Sequence, residues 1–100
     1  MTVYALALLA VTDKEKLGRY REGAADALAK HGGRVVQATP EPVVLEAAHS
    51  DPNTAALLAF PSIDDAKNWR ADTALSALHG LRNAAGASTI VILPAAPQGD

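Results

Sequence analysis

The chain of 100 residues contains no cysteine. This absence excludes disulfide scaffolds, thiolate metal sites and cysteine nucleophiles. Disulfides mark oxidising compartments, so a chain without cysteine favours a cytoplasmic location.

Large side chains are scarce. About a fifth of the chain is alanine, and its four aromatic residues are Tyr4, Tyr20, Phe60 and Trp69. A chain this short buries only about two thirds of its unfolded surface, and alanine contributes little apolar area when it is buried. The composition therefore predicts that a partner subunit covers part of the surface.

The chain has no excess of basic charge. Nine basic and eleven acidic residues give a net charge of -2, which does not attract nucleic acid or an anionic membrane. The apolar run from Val3 to Val11 has no basic stretch before it and is about half as long as a membrane span. It is read as a strand.

Common cofactor and metal motifs are also missing. The chain has no glycine-rich phosphate loop and no Gly-x-Ser-x-Gly motif, and no two of its histidines (His31, His49 and His79) lie one helical turn apart. We therefore expect neither a metal nor a cofactor.

The first helix is predicted to follow the strand directly. Thr12 as N-cap and Glu15 three residues later form a capping box, and Gly32-Gly33 supplies the left-handed residue that ends a helix. Between these signals an apolar stripe recurs every three or four residues, comprising Leu17, Tyr20, Ala24, Ala27, Leu28 and His31.

Three apolar runs and a second helix follow. The β-branched runs 34–38 and 43–47 are separated by Thr39-Pro40-Glu41-Pro42 and resemble a hairpin, while 54–60 reads as a central strand ended by a proline. Ser62 and Asp65 form a second capping box. The helix that follows is expected to break near 71–73, with Asp72 or Thr73 capping its second part.

A final β-branched run, 88–93, completes the order β-α-β-β-α-β, which is that of a ferredoxin-like α+β fold with an antiparallel sheet and both helices on one face. The other sheet face is predicted to be bare and apolar, so two copies would stack face to face as a dimeric α+β barrel. We expect one domain over 1–94 and a flexible C-terminal tail over 95–100.

Specific residues placed on these elements resemble those of one family. They are Gly32-Gly33-Arg34, Val44-Leu45-Glu46, Phe60-Pro61-Ser62, Ala66 with Trp69, and Leu78 with Arg82. Together they resemble the dimeric α+β barrel family called domain of unknown function thirteen-thirty, over nearly the whole chain.

The resemblance implies a homodimer in a superfamily that includes cofactor-free monooxygenases, muconolactone-type isomerases, chlorite dismutase-like haem proteins and polyketide cyclases. In those relatives the ligand lies between the sheet and the helices. The matched positions make Trp69, Arg34 and Glu46 candidate ligand-binding residues. This chain departs from the family at Ala59, where an acid is frequent, and at Leu75, where an aromatic is frequent, which disfavours a function that needs those groups.

His79 and Arg82 lie three residues apart on the second helix, where their side chains are neighbours. An imidazole can exchange a proton near neutral pH, and a guanidinium can hold an enolate, carboxylate or phenolate. Tyr20 adds a phenol as a third candidate catalytic group. In the competing interpretation Arg82 pairs with an acid such as Glu46 or with a helix C-terminal carbonyl, and His79 faces water.

His31 is a further candidate ligand-binding residue, although a histidine at the end of a helix also interacts favourably with its C-terminal carbonyls. Two functions stay open. The first is a homodimer that binds a small aromatic or polyketide-like molecule and acts as a cofactor-independent enzyme of isomerase, cyclase or monooxygenase type. The second is a non-catalytic binding or structural dimer.

Overall fold

The computed structural model describes residues 2–48 and 51–94 and places four strands in one antiparallel sheet with the order β2-β3-β1-β4. The elements are β1 (Val3–Val11), α1 (Lys14–Lys30), β2 (Arg34–Thr39), β3 (Thr54–Phe60), α2 (Ile63–Ala71), a 3₁₀ turn (Thr73–Leu75), α3 (Ser76–Ala85) and β4 (Gly86–Leu93). This is the predicted ferredoxin-like order with a divided second helix. The predicted tail and His49 lie outside the described residues.

The first helix begins one residue later than predicted. Asp13, not Thr12, is the N-cap, and its carboxylate accepts a hydrogen bond of 3.1 Å from the Lys16 amide. The Thr12 hydroxyl instead donates to the Ala85 carbonyl oxygen at the end of α3. Because that contact engages the threonine side chain, the adjacent aspartate, an equally good capping residue, takes its place.

The predicted hairpin is wrong in its second half. β2 forms as expected, but 43–47 is not a strand, and β2 pairs with β3, with Val35 opposite Leu58. Pro40 and Pro42 have no N–H to donate at the start of a second ladder. The following side chains are left in solvent, as the 95% exposure of Leu45 indicates.

The second helix is divided as predicted. The Asp65 amide donates to the Ser62 hydroxyl oxygen, which caps α2. Asp72 ends α2 and caps the 3₁₀ turn by accepting from the Ala74 amide at 2.9 Å. The chain therefore changes direction at Asp72 before α3 begins.

The two sheet faces differ sharply. Alternate β1 residues (Val3, Ala5, Ala7 and Leu9) are buried against the helices. The opposite side chains form what we call the open face, defined by Tyr4, Leu6, Leu8, Leu57, Val91 and Leu93. Tyr4, Val91 and Leu93 remain 41–53% exposed there. The single chain thus presents the bare apolar surface that the pattern predicted.

Candidate functional site

Among residues 2–48 and 51–94, two neighbouring cavities between the helices and the sheet share the side chain of Arg82. The α2/α3 cavity measures about 290 Å³ and is lined by Ala5, Phe60, Ala66, Lys67, Trp69, Arg70, Arg82, Asn83, Ser88, Ile90 and Ile92. The α1 cavity measures about 120 Å³ and lies between α1 and strands β2 and β3, with Tyr20 in its wall. Arg82 lines both cavities. The scarcity of large side chains explains the space, since alanines of the sheet and helices line both walls.

Arg82 and His79 are buried on the inner face of α3, where they are 2% and 3% exposed. The stripe of α3 that contains Arg82 also contains Leu78 and Ala85, and this stripe faces the sheet and α1. Arginine and histidine on such a stripe are unusual, because buried charge is costly unless it is paired.

The buried polar groups form a chain of hydrogen bonds. The Nε2 atom of His79 lies 3.0 Å from the Trp69 carbonyl oxygen, and its Nδ1 atom lies 2.8 Å from Nη1 of Arg82. Nη1 also donates to the Tyr20 hydroxyl oxygen at 3.3 Å. Because a carbonyl can only accept and a guanidinium can only donate, His79 carries its proton on Nε2 and is neutral.

His79 closes a gap left by the end of α2. The Trp69 carbonyl lies in the last turn of that helix, where carbonyl oxygens have no partner within the helix, so His79 caps it from α3. Burial lowers the pKa of His79, and the positive charge of Arg82 adds to this effect, while the Trp69 carbonyl opposes it. His79 therefore resists protonation in the folded protein.

Arg82 lies between two aromatic rings. Its Cζ atom is 5.4 Å from the centroid of the Tyr20 ring and 5.5 Å from that of Trp69. Cation–π contacts of this kind contribute about 1 kcal/mol each, and more when desolvated. Phe60 and His79 pack on Trp69 at centroid distances of 5.6 and 4.8 Å, which completes an aromatic wall.

The guanidinium has no carboxylate partner among residues 2–48 and 51–94. In the same part of the chain, two buried side-chain N–H groups have no acceptor: Nε of Arg82 and Nε1 of Trp69. A buried donor without a partner costs about 1–3 kcal/mol. The competing interpretation paired Arg82 with an acid such as Glu46 and placed His79 in water. The structure differs on both points, since Glu46 is exposed and His79 is buried.

The other candidate residues lie outside this cluster. His31 is half-buried at the end of α1, with its Nε2 2.8 Å from a carboxylate oxygen of Asp72, which Lys30 also contacts at 2.8 Å. These contacts tie the end of α1 to the break between α2 and α3, and they hold the pKa of Asp72 far below its usual range. Arg34 is exposed at the start of β2.

Sequence reasoning thus found Tyr20, Trp69, His79 and Arg82, which the structure brings together. It missed the hydrogen bond between His79 and the Trp69 carbonyl. The predicted helix break at 71–73 was the available signal, because a helix that ends there leaves the Trp69 carbonyl without a partner in its own helix. In the described residues no three acidic or histidine side chains gather into a metal-binding group. The helices described in the structure are too short or too polar to cross a membrane.

Comparison with known proteins gives one family and several structures. The family model described as "Domain of unknown function (DUF1330)" matches residues 2–96. The curated proteins give no match.

Three solved structures are similar in fold. A protein of unknown function from Rhodopseudomonas palustris has 17% identity and a TM-score of 0.76, covering 96% of this chain and 84% of that one. A variant of SnoaB, a cofactor-independent oxygenase from Streptomyces nogalater, has 15% identity and a TM-score of 0.66, covering 99% and 98%. A dimeric ferredoxin-like protein of unknown function from Jannaschia sp. CCS1 has 16% identity and a TM-score of 0.65, covering 95% and 100%.

Proposed function

This chain belongs to the DUF1330 family, and we propose that it binds a small aromatic or polyketide-like molecule in the α2/α3 cavity. One observation carries the proposal: Arg82 is buried without a carboxylate partner among the described residues and lines an apolar cavity beside Trp69. Apolar cavities with a few convergent polar groups are the usual form of a small-molecule site.

The geometry supports specific roles for the clustered side chains. The aromatic wall of Phe60 and Trp69 packs against the apolar body of the ligand, together with Ile90 and Ile92. Arg82 holds an oxygen substituent by charge-assisted hydrogen bonds. The Tyr20 hydroxyl accepts from Arg82, so its own hydrogen is free to donate toward the α1 cavity.

Catalysis without a cofactor is the finer part of this proposal. Arg82 would stabilise an enolate or phenolate, with Tyr20 or His79 exchanging the proton, as in an isomerase, cyclase or monooxygenase. Tyr20 is the better placed of the two, because it lines the α1 cavity that Arg82 also lines, whereas His79 lines neither cavity. The oxygenase activity named for SnoaB lends support to this class, since that protein shares the fold. Arg34, Glu46 and His31 line neither the α2/α3 cavity nor the α1 cavity, so we assign them no contact with the ligand.

A non-catalytic binding protein is the second candidate, and one observation favours it. Both ring nitrogens of His79 are engaged, one by the Trp69 carbonyl and one by Arg82. A histidine held in this way positions the guanidinium and has no free nitrogen with which to accept a proton.

We also propose that the protein is a homodimer joined through the open face. The exposed Tyr4, Val91 and Leu93 on that face support this arrangement, and the Jannaschia relative of the same fold is dimeric. Burying such a surface against a second copy removes it from water, which is the main favourable term in association.

Ligand binding is tested first by native mass spectrometry of the purified protein, which detects a co-purified small molecule. Titration with a panel of neutral and anionic aromatic compounds follows, with the methyl groups of Ile90 and Ile92 observed by NMR. We expect those methyl signals to shift. No retained molecule and no methyl shift with any compound would contradict the proposal.

Catalysis is tested separately by incubating the protein in deuterated water with aromatic ketones that bind. A catalyst of proton transfer incorporates deuterium next to the carbonyl faster than buffer does, and the Arg82→Met variant loses this rate. Binding without any increase in exchange would favour the non-catalytic candidate.

A further inference from the structure

The α2/α3 cavity has a charge opposite in sign to that of the whole chain. Its lining includes three basic side chains, Lys67, Arg70 and Arg82, and no acidic one. The chain as a whole has a net charge of -2. Lys67 and Arg70 are exposed at the mouth, whereas Arg82 is buried inside. A cavity with charge of one sign attracts ligands of the opposite sign.

Two residues that line this cavity carry buried donors without acceptors in the described residues. Nε1 of Trp69 and Nε of Arg82 have no hydrogen-bond partner, and their side chains are 3% and 2% exposed. Both residues line the same cavity, and the guanidinium carbon lies 5.5 Å from the centroid of the Trp69 ring. Buried polar groups are nearly always satisfied in proteins, so an orphaned pair beside a cavity calls for a ligand acceptor.

The Nε edge of Arg82 has no hydrogen-bond partner in the described residues. His79 and Tyr20 both use Nη1, and the rings of Tyr20 and Trp69 lie against the guanidinium. These contacts fix the guanidinium but supply no negative charge. A neutral ligand oxygen would accept the two hydrogen bonds, but only an anion would also compensate the buried charge.

We propose that the ligand is a small carboxylate with an apolar, ring-bearing body. Neither Nε of Arg82 nor Nε1 of Trp69 is accessible to water in this structure, so the carboxylate reaches these two donors as the side chains shift on binding. The ring of the ligand lies against Phe60, Ile90 and Ile92. This inference rests on the proposed ligand-binding function and adds the chemical class of the ligand. His79 is a positioning residue, which keeps Nη1 of Arg82 directed away from the carboxylate.

The test compares 2-naphthoate with 2-naphthamide, which have the same shape and differ in charge. Trp69 is the single tryptophan, so its indole N–H gives one unambiguous signal in the ¹⁵N–¹H spectrum. We expect naphthoate to move this signal downfield, as a new hydrogen bond does. We also expect naphthoate to bind at least about tenfold more tightly than naphthamide, which is the scale of a hydrogen bond to a charged group.

Variants assign the preference to the named atoms. Trp69→Phe removes the indole donor but keeps an aromatic ring, and Arg82→Met removes the charge at similar volume. Each should reduce the preference for naphthoate, and Arg82→Met should abolish it. Arg19→Met, which removes an exposed arginine paired with Glu15 on α1, is the matched control and should leave the preference unchanged.

The outcomes separate the two proposals. Equal affinity for naphthoate and naphthamide, with the Ile90 and Ile92 methyl signals shifting for both, overturns the carboxylate assignment while the cavity stays a binding site. A preference for naphthoate that survives Arg82→Met also overturns it. No response to either compound, or to any of the wider panel, overturns the proposed function as well.

Discussion

Replacing Arg82 with methionine should change the stability of the protein only slightly. When a buried arginine is paired with an acid, removing one partner lowers the free energy of unfolding of the protein by about 3–5 kcal/mol. Arg82 has no such acid among the described residues, so its removal also relieves a buried charge and the orphaned Nε. Few other buried arginines would be expected to behave in this way.

The opposing contributions can be estimated from the contacts. The substitution leaves Nδ1 of His79 without a donor, at about 1–3 kcal/mol, and removes two cation–π contacts of about 1 kcal/mol each. Against this, a desolvated charge costs several kcal/mol and a buried unsatisfied donor about 1–3 kcal/mol. We therefore expect the free energy of unfolding of Arg82→Met to lie within about 2 kcal/mol of the parent value.

The assay is urea unfolding at fixed protein concentration, because a dimer's apparent stability depends on concentration. Each kcal/mol corresponds to about 4–8 °C in melting temperature for a domain of this size, so thermal unfolding is an independent check. A carboxylate ligand at about 100 times its Kd should add about 2.7 kcal/mol to the parent and almost nothing to the variant.

One result would refute this reasoning. If Arg82→Met lost more than about 3 kcal/mol and the ligand stabilised both proteins equally, Arg82 would be a structural arginine. The carboxylate would then be held by other groups.

The remaining predictions concern pH, backbone packing and assembly. Because burial lowers the pKa of His79 below 6.5, the unfolded chain takes up a proton there before the folded protein does. The free energy of unfolding should therefore fall as the pH drops below 6.5 and level off below the pKa of His79 in the folded protein. Urea unfolding at a series of pH values should show a smaller slope for His79→Gln than for the parent, and equal slopes would contradict this. A Cβ at Gly86 would collide with the backbone of β1, so Gly86→Ala should lose about 1–3 kcal/mol in thermal unfolding. Gly80→Ala is the matched control, because a Cβ at this position on α3 meets open space. Its free energy of unfolding should rise by about 0.5–1 kcal/mol, and similar losses of stability in both variants would be evidence against a specific collision at Gly86. Val91→Lys on the open face should halve the mass measured by light scattering, while Asp26→Lys on exposed α1 should not; an unchanged mass for Val91→Lys would place the interface elsewhere.

Short-range patterns account for the parts of the fold that were predicted correctly. Strand β1, the stripe of α1, the cap at Ser62 and the helix break at Asp72 each depend on residues within a few positions of one another. The two errors lay where neighbours compete. Thr12 and Asp13 are both capping residues, and only the contact from Thr12 to Ala85 decides between them.

The failed hairpin has a similar origin. The run 43–47 has the composition of a strand, but a strand needs an edge with free N–H and carbonyl groups. β2 pairs with β3, which is separated from it by the whole 40–53 connection. A local pattern cannot rank a nearby partner against a distant one, because the choice depends on what packs on both sides of the sheet.

By itself, the sequence determined the order of the elements, the apolar open face and the candidacy of Tyr20, Trp69, His79 and Arg82, since helical and strand periodicity place each side chain on a face. Only the tertiary structure decided what those side chains contact. Tyr20 and Arg82 meet across 62 positions of the chain, and His79 caps a carbonyl of a different helix. Whether a buried arginine has an acidic partner depends on these long-range placements, which set the local charge and solvation of the site.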